Sequence, residues 1–166
     1  MRRFWFFLLV IFIPGCSLLL PHFLDGTSIN DSDLKDIIYI NEVSADNPSE
    51  ADWVELYNSN AHVADLSGFY LSDSIDSAKW DFPVGSTIAG NSYLVVVCDG
   101  TGEGANTDFK LRAGVDQVAL ITPDKKTVID SLLTIAPAGT GSYGRVTDGA
   151  DTWTVFANPT KGSTNQ

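Results

Sequence analysis

The sequence predicts an all-β protein, an antiparallel β-sandwich whose two sheets enclose one apolar core. Three observations indicate this class. Apolar side chains recur with a period of two, as in residues 52–58, or form short apolar runs such as residues 93–98. Turn-forming pairs such as Asn47-Pro48 and Asp99-Gly100 separate these segments at short intervals. No segment after residue 36 has the period of an amphipathic helix, and regularly spaced short strands are typical of a sandwich.

The predicted strands follow one another from residue 37 to residue 156. In the second of them, Val54 and Leu56 point to one face, while Trp53, Glu55 and Tyr57 point to the other. The run at residues 93–98 is apolar throughout, as expected for a central strand. The predicted strands are 37–43, 52–58, 68–72, 79–82, 93–98, 108–112, 117–122, 127–132, 142–146 and 152–156.

The N-terminus has the order of a secretory signal. Arg2 and Arg3 precede an unbroken apolar run over residues 4–13. The following Ile13-Pro14-Gly15-Cys16 resembles the bacterial lipobox. This resemblance implies that the chain is cleaved before Cys16 and that Cys16 carries lipid on its thiol, with palmitate among the acyl chains. We therefore expect a signal peptide at residues 1–15, a lipidated cysteine and flexible tether at 16–36, and a folded domain at 37–166.

An uncleaved membrane anchor over residues 4–24 is the alternative interpretation of this segment, because the apolar run continues after Cys16. Pro14 and Pro21 disfavour one straight spanning helix. Both interpretations export the domain and hold it at the cell membrane or outer membrane, in the periplasm or on the cell surface.

The second cysteine, Cys98, ends the apolar run at residues 93–98 and is predicted to be a small buried side chain. If Cys16 carries lipid, Cys98 has no partner. A disulfide between Cys16 and Cys98 is the weaker alternative.

The chain is strongly acidic. Its 166 residues include 21 Asp and Glu against 10 Lys and Arg, for a formal net charge of -11. A negative surface repels phosphate backbones, so the composition argues against nucleic-acid binding. Solubility is the first explanation of this acidity, and cation binding by loops is the second.

The predicted strands, taken in order, resemble the lamin-tail domain, an immunoglobulin-like module that also occurs in bacterial surface proteins. The resemblance covers residues 37–165 and implies an immunoglobulin-like sandwich. The motifs that carry it are Tyr39-Ile40-Asn41-Glu42-Val43, Asp52-Trp53-Val54-Glu55-Leu56-Tyr57-Asn58, Asp65-Leu66-Ser67-Gly68-Phe69-Tyr70-Leu71-Ser72-Asp73, Trp80-Asp81-Phe82-Pro83-Val84-Gly85, Ile129-Asp130-Ser131, Ser142-Tyr143-Gly144-Arg145, Asp148-Gly149 and Asn158-Pro159-Thr160-Lys161-Gly162-Ser163-Thr164-Asn165.

Structural roles are expected for the prominent residues of these motifs. Gly68 can take the positive φ that a tight turn requires. Arg145 can stack on an aromatic ring or bond to loop carbonyls, and so tie two strands together. Glu42 and Glu55 can accept bonds from backbone amides or from Arg145. The large rings of Trp53, Trp80 and Trp153 are expected to close the ends of the core.

No catalytic site is predicted. His22 lies in the tether and His62 in a polar loop, and neither forms part of a nucleophile–histidine–acid pattern. We expect no cofactor, because zinc-binding and phosphate-binding motifs are absent from the sequence. The remaining candidate chemistry is weak calcium binding by the oxygens of Asp46, Asn47, Glu50 and Asp52; a solvated turn is the simpler explanation.

These observations predict a non-catalytic, membrane-anchored lipoprotein whose domain binds or scaffolds a protein partner at the cell envelope. A carbohydrate-binding module is the alternative, because sandwiches can present exposed aromatic rings to glycans. Trp53, Tyr57, Tyr70 and Trp80 would form such a platform, and their exposure distinguishes the two hypotheses.

Overall fold

A computed structural model describes residues 31–166 of the chain, with the side chains described from residue 33. The predicted signal peptide, Cys16 and most of the tether lie outside the described residues. Within residues 31–166, no helix has both the length and the apolarity needed to cross a membrane. The described part begins with a 3-10 helix, Asp31–Leu34, and continues as strands β1 (Ile38–Ser44), β2 (Asp52–Asn58), β3 (Ala64–Asp65), β4 (Tyr70–Ser72), β5 (Trp80–Asp81), β6 (Thr87–Ile88), β7 (Ser92–Cys98), β8 (Val118–Ile121), β9 (Val128–Leu132), β10 (Ser142–Arg145) and β11 (Trp153–Phe156).

Two antiparallel sheets form the sandwich, which confirms the predicted fold class. The larger has the order β11-β10-β1-β2-β7, and the smaller has the order β5-β4-β8-β9. Strands β3 and β6 pair with each other in a separate two-stranded ribbon. Strand β1 lies against β9 and β8 of the opposite sheet, so the larger sheet packs across the smaller one.

The core lies between the sheets and follows the alternation in the sequence. On β2, every second side chain points inward. On β1 the same alternation holds until a bulge between Ile40 and Glu42 shifts the register of that strand. The buried apolar residues from the two sheets include Ile38, Ile40, Val43, Val54, Leu56, Leu71, Val96, Val118, Leu120 and Ile129. Burial of such side chains contributes about 1.5–3 kcal/mol each.

The second face of the larger sheet is also covered. Trp53 and Glu55, which point away from the core, are both fully buried. Residues 157–166, here called the C-terminal segment, cross this outer face and bond to β1 and β2, as with the Gly162 amide and the Glu55 carboxylate. Alternation alone could not reveal this cover, because a strand with both faces buried still has a period of two.

The structure differs from the sequence-based assignment of strands and tether in three places. Residues 108–112 form no strand, although Phe109 and Leu111 are buried, because the Leu111 amide bonds to the Asp52 carboxylate at 3.0 Å instead of to a neighbouring strand. The short strands β3 and β6 were not predicted. Residues 31–36, predicted as tether, include the 3-10 helix and place Leu34 in the core.

Candidate functional site

The residues predicted as a weak calcium site surround one cleft at an end of the sandwich. The cleft has a volume of about 250 Å³ and opens beside β7. It is lined by Asp46, Asn47, Glu50, Ala51, Asp52, Cys98, Asp99 and Lys110. The structure therefore brings all four predicted loop residues together.

Most oxygens of this cleft accept hydrogen bonds from the chain itself. Asp46 Oδ2 accepts the Ala113 amide at 2.9 Å, and Asn47 Oδ1 accepts the Ser49 amide at 2.9 Å. Glu50 accepts bonds from Trp53 Nε1 at 3.0 Å and from Lys161 Nζ at 3.1 Å. The Trp53 bond is the main cause of a lowered pKa for Glu50.

These bonds connect the loop after β1 to residues 111–113 and to the C-terminal segment. Within residues 31–166, no group of three or more His, Cys, Asp or Glu side chains is arranged to hold a metal ion. The arrangement seen here is a loop held by carboxylate–amide bonds, the geometry of a structured turn.

Two buried carboxylates, Glu42 on β1 and Glu55 on β2, face the C-terminal segment. Glu42 accepts the Thr160 amide at 2.9 Å and a bond from the Ser142 hydroxyl, and its other oxygen lies 2.6 Å from Thr160 Oγ1. Glu55 accepts Asn41 Nδ2 at 3.0 Å and the Gly162 amide. Both glutamates therefore bind backbone amides, and their bonds hold the segment on the sheet.

Burial raises the pKa of Glu55 to about 7. The bonds from Asn41 and Gly162 oppose this rise, while the charges of Glu42 and Asp148 add to it. Asp148 closes the cluster, because its Oδ1 accepts both Asn41 Nδ2 and the Asn165 amide. A glutamate with such a pKa can resemble a general base, but here its oxygens accept bonds from the fold itself.

Arg145 connects the two sheets. From β10 its Nε donates to the Ile40 carbonyl at 2.8 Å, and its Nη2 donates to Asp130 on β9 at 2.8 Å. Asp130 also accepts the Ile40 amide at 2.7 Å. The guanidinium lies over the rings of Tyr39 and Trp153, with its carbon 5.2 and 4.9 Å from their centroids. These contacts make a structural clamp, and neither glutamate of the preceding cluster bonds to it.

The four rings proposed as a glycan platform do not share one exposed face. Trp53 is fully buried and Trp80 is 8 % exposed. Trp53 and Tyr57 belong to β2 of the larger sheet, whereas Tyr70 and Trp80 belong to the smaller one. The chain's own packing separates the rings, so this set cannot stack on a single sugar chain.

The remaining predicted positions also lie in packed or turn geometry. Gly68 has a φ of +76°, and its amide bonds to the Phe82 carbonyl at 2.9 Å. Trp153 packs against Tyr143 at the edge of the core. Cys98 is a fully buried free thiol, and burial raises its pKa to about 12. A thiol so buried and protonated is a poor nucleophile.

Sequence reasoning missed several partners of these residues. Ser142, Thr160 and Asn165 were given no site role of their own, although each contributes to the polar contacts beneath the C-terminal segment. Gly144 is one signal that was available. A Cβ there would lie 2.9 Å from the Phe156 ring, 3.0 Å from Glu42 Cγ and 3.2 Å from Asn165 Nδ2, so a larger residue would crowd β11, Glu42 and the end of the segment.

The fold and these clusters define an immunoglobulin-like sandwich whose most distinctive polar residues serve its own architecture. The chain belongs to the lamin tail domain family, whose model matches residues 33–135. This family is a non-enzymatic, immunoglobulin-like type of domain, and it indicates a protein-interaction or scaffold module. Strands β10 and β11 and the C-terminal segment lie beyond the matched stretch. No curated protein matches the chain.

Proposed function

We propose that this chain is an exported bacterial lipoprotein, anchored through lipid on Cys16, whose lamin-tail domain binds a protein partner at the cell envelope. The observation that carries the proposal is the order of segments: a lipobox-like sequence ending at Cys16 stands ahead of a family domain that begins at residue 33. The intervening residues would separate the domain from the membrane surface.

The domain is proposed to act by binding and not by catalysis. Its buried acidic groups, Glu42 and Glu55, bond to the C-terminal segment, and the cleft carboxylates bond to loop amides. Loops and strand edges therefore remain as the surfaces on which a partner could be recognised.

Metabolic labelling with a palmitate analogue tests the anchor. The full chain should incorporate label, and Cys16→Ala should lose it, because the thiol is the proposed attachment site. Cys98→Ala is the matched control and should keep the label, since Cys98 is buried in the core. Equal labelling of wild type and Cys16→Ala would overturn the lipoprotein proposal, and membrane fractionation of the same cells would show whether attachment depends on Cys16.

A further inference from the structure

Strand β7 forms an open edge of the larger sheet. All seven of its residues pair with β2, from Cys98 opposite Asp52 to Ser92 opposite Asn58, without a register shift. Among the strands of residues 31–166, none pairs with its other side. Such an edge exposes backbone donors and acceptors that can pair with another chain.

The direction of these backbone groups follows from one bond. The Val97 carbonyl accepts the Thr107 amide at 2.9 Å, so Val97 directs its backbone away from β2. In an antiparallel strand, alternate residues point the same way, which places the amides and carbonyls of Tyr93 and Val95 on the free edge. Within residues 31–166, no hydrogen bond occupies those groups.

Apart from the loop that bonds to the Val97 carbonyl, strand β7 lacks several features that usually block an edge. Its sequence, Ser92-Tyr93-Leu94-Val95-Val96-Val97-Cys98, contains no proline and no charge, and its pairing has no bulge. Val95 and Val97 are partly exposed. The edge strand β5 of the other sheet has only two residues, a length that blunts it.

The charge beside this edge selects the partner. Residues 99–110, which follow β7 and return past Val97, carry Asp99, Glu103 and Asp108 against one cation, Lys110. Glu103 and Asp108 are exposed, and hydrogen bonding to Thr101 lowers the pKa of Asp99, which keeps it ionised. An acidic rim favours a cationic segment and disfavours a second copy of this acidic chain.

From this geometry we propose that β7 accepts an extended, lysine- or arginine-bearing segment of a partner protein as a sixth strand of the larger sheet. The proposal rests on the proposed protein-binding function and specifies its surface. Backbone bonds to Tyr93, Val95 and the Val97 amide supply the pairing, and the acidic loop after β7 supplies the charge preference.

A defined peptide tests this surface on the full chain in nonionic detergent. The probe is a fluorescein-labelled heptapeptide in which lysine alternates with valine. Fluorescence anisotropy should show saturable binding that weakens as salt increases, and amide exchange should slow within residues 92–98. A peptide with glutamate in place of lysine should bind at least about tenfold more weakly. Equal binding of the two peptides, no binding, or protection only elsewhere would overturn the proposal.

Backbone pairing is tested separately from charge. N-methylation of alternate peptide residues removes donors but keeps every side chain, and should weaken binding about tenfold or more. Val95→Pro removes an outward amide that the β2 ladder does not use and should have the same effect, whereas Val95→Thr keeps the amide and should bind normally. Should Val95→Pro fail to fold, the methylated peptide still decides the question. Unchanged binding of that peptide would overturn edge pairing, while Cys16 labelling would independently test the proposed anchor.

Discussion

At the scale of single residues, Arg145 combines hydrogen bonds to several partners with contacts to two aromatic rings. Its guanidinium donates to Ile40, Asp130 and the Ala150 carbonyl and also lies over the rings of two aromatic residues. Only a planar group with several fixed donors can make all these contacts at once. The residue is 5 % exposed, so any donor or acceptor that loses its partner there stays desolvated.

Arg145→Lys should therefore lower the free energy of unfolding by about 2 kcal/mol, because one ammonium cannot replace three directed bonds and the stacking. Urea denaturation of the full chain in detergent, followed by tryptophan fluorescence, measures the change. Arg112→Lys is the matched control: Arg112 pairs with Asp116, but its side chain is 66 % exposed, so it should cause little change. Equal losses for the two variants would contradict the clamp assigned to Arg145.

At the scale of elements, the C-terminal segment behaves as an additional layer on the larger sheet. Asn165 fixes its end: Nδ2 donates to the Arg145 carbonyl at 2.7 Å and to the Asn41 carbonyl at 3.3 Å, and its amide bonds to Asp148. Through these bonds, the Asn165 side chain holds β1 and β10 together, and its backbone amide adds the turn after β10.

Asn165→Ala should loosen this layer and lower stability by about 1–3 kcal/mol, because it removes the bonds that the side-chain amide donates to the Asn41 and Arg145 carbonyls. Hydrogen exchange should accelerate at the Thr160 and Gly162 amides, which bond to Glu42 and Glu55. The neighbouring exposed residue gives the control, Gln166→Ala, which should change neither quantity. Unaltered exchange at both amides in Asn165→Ala would show that the segment is held by other contacts.

The elements also show what the sequence could predict. Alternation located β2 over residues 52–58 and placed Val54 and Leu56 on the core face, since a strand period is a local property. The predicted strand at residues 108–112 was wrong because the amides of Leu111 and Arg112 bond to the carboxylates of Asp52 and Asp116, and Asp52 is 59 residues away from Leu111. Local pattern cannot distinguish such side-chain pairing from a ladder.

For the candidate site, too, the sequence could predict groupings of residues that are close in the chain but not contacts between distant residues. Asp46, Asn47, Glu50 and Asp52 line one cleft, and the sequence could place them together because they are close in the chain. The cover over Glu42 and Glu55 was not predicted, because its bonds join residues more than 100 positions apart. The same separation concealed the burial of Trp53, which led to its inclusion in the glycan platform.

At the scale of the whole molecule, the pH dependence of stability follows from acidic groups with opposite shifts. Four aspartates have lowered pKa values: Asp65, Asp99, Asp116 and Asp124. Their contributions to the stability of the folded chain are therefore lost only as the pH falls into the acidic range. Glu55 has a raised pKa of about 7, against an ordinary value of 4.5. Between these two values the folded chain holds a proton that the unfolded chain has released.

Stability should consequently fall as the pH rises from about 4.5 to 7, by about 3 kcal/mol for a shift of this size, and the contribution of protonated Glu55 should be complete below that window. Urea denaturation at a series of pH values measures the slope. Glu55→Gln should flatten it, because the amide has no proton to release, whereas Glu103→Gln, at an exposed glutamate, should preserve it. A slope in Glu55→Gln equal to that of the wild type would assign the dependence to other groups. In that case the buried glutamate would be ionised in the folded chain, with the bonds from Asn41 and Gly162 outweighing its desolvation.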